Sequence, residues 1–350
     1  MNDPLVSVVI PGYNGAAFIG ETLESLGRQT LTDWEAIVVD DCSSDATRDL
    51  VRGWADPRVR LIENPVNGGP VRTRNRGVAE ARGRYIAGLD QDDVCLPDRL
   101  AMQVAYLETH TDVVLVGTQA EQLRDGKVSA MHYAPHTTPD LIAWLSWIEN
   151  PIVWSTVMIR ADTARALDPF TRPDILYAED FDLYHRVSPF GRIARIDRPL
   201  LLYRQHAGGA SKRFTDTMRA SAMRVLAERH AASLGDQEAA ALARLLVHHN
   251  MGGDPVPDRA TLMRLGAGIA ALQAAFVERE RPDAESIKLI RWETARRWAR
   301  IGRAGLRSGA IGLGDVLTAR PPHLGLGYAG VESLLWCGAI GAVRRLRRAA

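Results

Sequence analysis

Three carboxylates fall within four positions in the stretch Arg84-Tyr-Ile-Ala-Gly-Leu-Asp90-Gln-Asp92-Asp93. Acid groups this close raise one another's pKa or strain the fold unless something positive sits among them, so a bound cation is the economical reading. Oxygen-only ligands suit Mg²⁺ or Mn²⁺, which keep waters and bridge to substrate phosphates. The other reading is an acidic turn ahead of a helix opened by Pro97, with Asp93 or Asp98 as its cap. Two more acid groups stand out, Asp40-Asp41 and Glu179-Asp180-Phe-Asp182. The second opens a helical pattern, where the helix dipole favours carboxylates in any case. His206 lies in a small-residue loop, Arg204 to Ser211, whereas the adjacent His248 and His249 would point in different directions from a helix and read as structural.

These residues need elements that bring them together. Leu5-Val-Ser-Val-Val-Ile10 is a buried-strand run closed by Pro11-Gly12, and Trp34 to Val39 is a second that stops at Asp40-Asp41. Arg58 to Ile62 is a third, and the apolar run ahead of Asp90 is a fourth; helical patterns follow each. Strand-then-helix repetition implies parallel strands with right-handed crossovers and ligands beyond their carboxyl ends. Tyr13, Asp41 and the Asp90–Asp93 cluster all fall there. Further strands are expected over Asp112–Thr118, Ser155–Ile159, Ile193–Ile196 and Leu200–Tyr203, with a hairpin around Asp125-Gly126. From Phe214 onward the pattern is helical, with Asp254-Pro-Val-Pro-Asp258 as its clearest break. Gly12 and Gly15 do not have dinucleotide-fingerprint spacing.

Apolar content of 46% and charge of 24% are those of an ordinary folded chain. The overall charge of +1 conceals an asymmetry, since Arg281 to Ala350 holds 13 Lys/Arg against 5 Asp/Glu. A basic end suggests an anionic surface. Cys42, Cys95 and Cys337 form no metal or redox spacing, which fits a reducing cytosol. No signal-peptide pattern is visible, and Leu334 to Val343 is about half the length a membrane span needs, so no transmembrane helix is expected.

Taken together, Val8-Val-Ile-Pro-Gly-Tyr13-Asn14, Ile37-Val-Val-Asp40-Asp41-Cys-Ser-Ser-Asp45, Arg74-Asn75-Arg-Gly77, Leu89 to Asp93 and Glu179-Asp180 resemble, in order and spacing, the inverting glycosyltransferases of family 2, which have the GT-A fold. The resemblance covers roughly Leu5 to Ser211. It implies an α/β, Rossmann-like, mostly parallel sheet with helices on both faces. Residues 1–118 would be the nucleotide-sugar-binding half and 119–213 the acceptor-binding half of a 1–213 GT-A domain, followed by an α-helical region over 214–350. It also implies a hexosyltransferase-type enzyme of cell-envelope polysaccharide biosynthesis that uses Mg²⁺ or Mn²⁺.

Carried over by position, the resemblance puts Pro11 and Tyr13 at the donor, with Tyr13 stacking on its base and Asp41 accepting from the base's N–H edge. Asp90 and Asp92 would contact the donor's ribose and sugar, Arg74 would approach the donor, and Asp93 would ligate the metal, with His206 near metal or diphosphate. Asp180 would be the general base, with Glu179 beside it. The chemistry agrees: direct displacement needs a neutralised leaving diphosphate and a deprotonated acceptor hydroxyl, and no nucleophilic side chain. The usual Gly after Asp41 is Cys42 here. A Gln-x-x-Arg-Trp segment and membrane spans, which processive members carry, are missing, so a single sugar per encounter is expected. Competing readings are a nucleotidyltransferase acting on a sugar phosphate, which would want a basic residue in the Pro11–Gly15 loop, and an inactive sugar-nucleotide-binding scaffold. The expected partners are a nucleotide-diphosphate sugar and a glycan or lipid-linked acceptor, with no nucleic acid. The expected location is cytoplasmic. The Trp- and Arg-containing segments Arg291–Arg303 and Val331–Arg348 have a composition suited to peripheral contact at the inner face of the membrane, or equally to solvated helices packing on the catalytic domain.

Overall fold

The computed structural model describes residues 3–324 and 331–349 and divides into two compact units. The first comprises Met1–Pro139 and Ile152–Met218. It holds a nine-stranded sheet: β1 (Val6–Gly12), β2 (Trp34–Asp40), β3 (Val59–Glu63), β4 (Tyr85–Gly88), β5 (Val94–Cys95), β6 (Val113–Arg124), β7 (Lys127–Ala130), β8 (Met158–Arg160) and β9 (Arg192–Arg204). The strand order is β3-β2-β1-β4-β8-β6-β9-β5, with β7 paired to β6. The β3-β2-β1-β4 half is parallel, as the strand-helix repetition requires. β8 then enters antiparallel between β4 and β6, so the sheet is mixed beyond β4. β1 and β2 are buried almost residue by residue, because helices cover both faces of the parallel half. The core there is aliphatic, with Val6, Val8, Ile10, Ala36, Val38, Ala87 and Leu89 among its members.

Two expectations are revised, and the hairpin around Asp125-Gly126 is present. Ile193–Ile196 and Leu200–Tyr203 belong to one strand, β9, whose pairing with β6 shifts register around Thr118–Glu121 rather than breaking. Trp154–Thr156 is a 3₁₀ turn, so the strand expected from Ser155 begins at Met158. Asp125 and Gly126 both have positive φ, at 50° and 75°, as a tight hairpin turn requires, and β7 is exposed throughout.

The second unit comprises Asp140–Pro151 and Arg219–Ala350. The short segment Asp140–Pro151 thus packs with the helices rather than with the 119–213 half in which the sequence places it. The reason is its apolar content. Leu141, Ile142, Trp144, Leu145, Trp147 and Ile148 are all buried, Trp144 and Trp147 against Phe276 at ring separations of 5.5 and 5.4 Å. Trp144 Nε1 donates to Thr294 Oγ1 at 2.9 Å, and Glu149 pairs with Arg297. Helices span Arg259–Glu280 and Ala284–Ser308, each N-capped by an aspartate side chain, Asp258 and Asp283. Arg259–Glu280 is also long and apolar enough to cross a membrane by length and composition, although Leu262, Leu265, Ile269, Leu272 and Phe276 are buried in this unit. Trp298 and Arg297 are likewise buried, so that part of Arg291–Arg303 serves packing. The side chains of Arg345, Arg347 and Arg348, in the expected terminal basic helix, lie outside the described residues.

Candidate active site

The carboxyl ends of β1, β2 and β4 place three loops side by side. After β1, Tyr13 is exposed and Asn14 has φ of 48°. After β2, the Asp41 N–H donates to Gly12 O at 2.7 Å, which locks the two loops together. The Asp41 carboxylate is buried and accepts from Asn64 Nδ2 at 2.8 Å, Gly68 N at 2.9 Å and Gly69 N at 2.8 Å. It organises the turn into the helix Gly69–Ala79, and a carboxylate has about four acceptor positions, so one is left for a ligand. Cys42 sits at φ of 65°, a left-handed conformation that explains why glycine is the usual residue there.

After β4 comes the acidic turn. Asp93 is fully buried; its Oδ1 accepts from Arg204 N at 2.8 Å, while Oδ2 has no hydrogen-bond partner among the described residues. Asp92 Oδ2 lies 2.8 Å from His206 Nε2, and Arg204 Nε donates to Asp92 O at 2.7 Å. The Asp90 N–H donates to Ser155 Oγ at 3.0 Å. Burial, then the charge of Asp92, pushes Asp90 up to about 6 against the pull of Arg74. Burial and the charges of Asp92 and Asp90 raise Asp93 well above the usual carboxylate range. The site thus holds acid groups it cannot neutralise by itself.

Arg74 joins this turn to the helix Glu179–Val187. Its Nη1 donates to Glu179 Oε1 at 2.6 Å, its Nη2 lies 3.9 Å from Asp90 Oδ1, and its Cζ stacks 4.1 Å over the Trp154 ring. Burial alone would lower the Arg74 pKa, but Glu179, Asp90 and Asp180 more than offset it and the net shift is upward. Trp154 fits because position 88 is glycine: a Cβ there would stand 2.6 Å from the indole. The rest of the Arg74-Asn75-Arg-Gly77 motif is equally specific. Asn75 exchanges two 2.8 Å hydrogen bonds with the Thr171 backbone, and a Cβ at Gly77 would stand 2.4 Å from Val9 Cγ1. Asp180, half-buried at the start of the helix, accepts from Phe181 N at 2.8 Å.

The sheet edge therefore gathers Tyr13, Asp41, Arg74, Asp90, Asp92, Asp93 and His206, and Arg74 ties Glu179-Asp180 to them. Pro11 lies within β1 itself. Glu179 is buried and holds Arg74, and His206 faces Asp92. Gln91, Ser155 and Trp154 went unnoticed in the sequence. Two of them left a trace, each in a glycine that makes room for it, Gly15 for Gln91 and Gly88 for Trp154.

A parallel half-sheet whose carboxyl edge is lined by acid groups and an exposed aromatic, extended by a mixed half that supplies a further carboxylate, defines the GT-A glycosyltransferase architecture. Residues 7–165 match the family model described as glycosyl transferase family 2. It is 29% identical over 197 residues, 56% of this chain and 75% of the relative, to the UDP-Glc:alpha-D-GlcNAc-diphosphoundecaprenol beta-1,3-glucosyltransferase WfgD of Escherichia coli. It is 34% identical over 164 residues, 45% of this chain, to the uncharacterized protein y4gI of Sinorhizobium fredii, of which it spans only 18%. Among solved structures, the mannosyltransferase PcManGT from Pyrobaculum calidifontis, in complex with GDP-Man and Mn²⁺, shares the fold. The TM-score is 0.52, at 19% identity, covering 99% of this chain and 88% of that one.

Proposed function

We propose that the chain transfers one sugar from a nucleotide-diphosphate sugar to a hydroxyl of a glycan or lipid-linked acceptor by direct displacement with inversion. The observation that carries this reading is the Arg74 bridge, which holds the Asp180 helix against the acidic turn. In this reading Tyr13 stacks on the donor's base, Asp41 uses its remaining acceptor position on the base edge, and Asp90 and Asp92 take the donor's hydroxyls. Asp180, in the first turn of the helix Glu179–Val187, removes the acceptor proton. A divalent cation fits Asp93, whose buried Oδ2 has no hydrogen-bond partner among the described residues and whose proton affinity is raised by burial and by its acid neighbours. Among the described residues no cluster of three or more His, Cys, Asp or Glu side chains could hold a metal by itself, which suits an ion completed by water and donor phosphates. When bound, Mg²⁺ or Mn²⁺ would neutralise charge developing on the departing diphosphate.

The relative that acts on a diphosphoundecaprenol-linked sugar motivates the lipid-linked acceptor, and the basic, Trp-bearing C-terminal region motivates peripheral membrane contact at the cytoplasmic face. In the helix Val331–Ala349, Leu335 and Trp336 are 53% and 67% exposed. Flotation with anionic vesicles tests this contact, which fails if Leu335→Asp/Trp336→Asp floats like the parent. For the reaction, nucleoside diphosphate release is followed with a panel of sugar nucleotides, acceptors and Mn²⁺. Asp180→Asn should abolish transfer while keeping donor affinity, and full activity in that variant rejects Asp180 as the base.

A further inference from the structure

The Tyr13 ring has no aromatic or cation contact among the described residues, so its position depends on its backbone. The residues after it are tied to the loop following β2: Asn14 N donates to Ser43 Oγ at 2.9 Å, Gly15 N to Thr47 Oγ1 at 2.8 Å and Ala16 N to Asp45 Oδ2 at 3.1 Å. Tyr13 itself is held from the other side. Its N–H donates to Gln91 Oε1 at 2.9 Å, and its carbonyl accepts from Gln91 Nε2 at 3.0 Å. A single side-chain amide thus pairs both backbone groups of one residue, as a neighbouring strand would. The amide fills the space a side chain at position 15 would need, since a Cβ on Gly15 would stand 2.1 Å from Gln91 Oε1. The other end of Gln91 is equally fixed. Thr22 Oγ1 lies 2.8 Å from both Gln91 O and Asp93 O, which pins the acidic turn to the helix Ile19–Gly27.

We propose that Gln91 is a positioning residue of the donor pocket: its amide sets the spacing between the loop that stacks the base at Tyr13 and the acidic turn that receives the diphosphate. This rests on the donor-site reading given above. Removing the amide frees Tyr13 but leaves the acidic turn its own hydrogen bonds to Thr22 and Arg204, so the loss is confined to the base end of the ligand.

The test is calorimetric titration of the full chain with Mn²⁺ and UDP, GDP or inorganic pyrophosphate, the last being a diphosphate without a base. Gln91→Met keeps the length of the side chain and removes both hydrogen bonds. It should weaken the tighter nucleotide about tenfold, the scale of two modest hydrogen bonds, and leave pyrophosphate binding unchanged. In a Tyr13→Ala background the same substitution should add nothing, because the residue it positions is gone. Gly15→Ala pushes the same amide from the opposite side and should reproduce the selective loss, which covers the case in which Gln91→Met does not fold. Equal loss of nucleotide and pyrophosphate, or additive effects with Tyr13→Ala, would overturn the proposal. If Tyr13→Ala weakens the nucleotide and Gln91→Met does not, the proposal alone fails. If Tyr13→Ala has no effect, the donor-site reading fails first and takes the proposal with it.

Discussion

Replacing Glu179 with leucine should be expensive, and the loss should appear in stability before it appears in chemistry. Arg74 Nη1 and Glu179 Oε1 are 2.6 Å apart with both side chains only 6% exposed. Removing one partner of such a pair leaves a buried, uncompensated charge and costs about 3–5 kcal/mol. Asp90, 3.9 Å from Arg74, keeps part of the counter-charge, so the lower end, about 3 kcal/mol, is expected. For a unit of about 200 residues that corresponds to a fall in Tm of about 6–12 °C. Scanning calorimetry of the variant reads it directly. The double variant Arg74→Met/Glu179→Leu removes both charges and should recover most of the loss, except for about 1 kcal/mol of Arg74 stacking on Trp154. A single variant that melts like the parent, or a double variant as unstable as the sum of the singles, would refute the reasoning. A proton-transfer role for Glu179 predicts the opposite pattern, with turnover lost and melting unchanged.

Other consequences are smaller or more local. Cys42→Gly should stabilise the protein by about 0.5–1 kcal/mol in chemical denaturation, since relief of the left-handed strain exceeds glycine's entropy penalty. Mn²⁺ should raise the Tm and Asp93→Asn should abolish that rise; a rise that persists in the variant would place the cation elsewhere. Asp90 is raised to about 6 in the folded chain from an ordinary carboxylate value near 3.8, so the folded state binds more protons between those pH values. Its contribution to stability is therefore full below about pH 4 and is lost as pH rises through about 6. Asp90→Asn should flatten that part of a Tm-versus-pH curve.

The parallel half of the sheet was legible because its two central strands, β1 and β2, are buried Val- and Ile-rich runs that end in Gly12 and Asp40, and β4 is a short apolar run that ends at Gly88. The mixed half was harder to read. β9 looks like two strands because Pro199 and the polar residues around it interrupt the alternation, yet its ladder with β6 continues across the interruption through register shifts. Asp140–Pro151 was misplaced because sequence order puts it among residues of the sheet unit, while its two tryptophans find their aromatic partner in Phe276, more than a hundred positions later. Such long-range packing leaves no local signal.

Within the site, residue type alone could not separate acid groups that bind ligands from acid groups that build the pocket. The kind of partner each carboxylate already has does separate them. Asp41 accepts three hydrogen bonds from the Asn64 side chain and the Gly68-Gly69 turn, and Glu179 Oε1 is paired with the Arg74 guanidinium, which supplies its counter-charge, so both first shape the site. Asp93 accepts one backbone N–H, from Arg204, and its Oδ2 has no hydrogen-bond partner among the described residues in a place where burial penalises its charge, an arrangement that costs stability unless a ligand supplies positive charge. A fold that needed only a turn after β4 could have put Asn or Ser at position 93. Retaining a buried carboxylate there, beside two more, makes sense when the missing positive charge arrives with the donor.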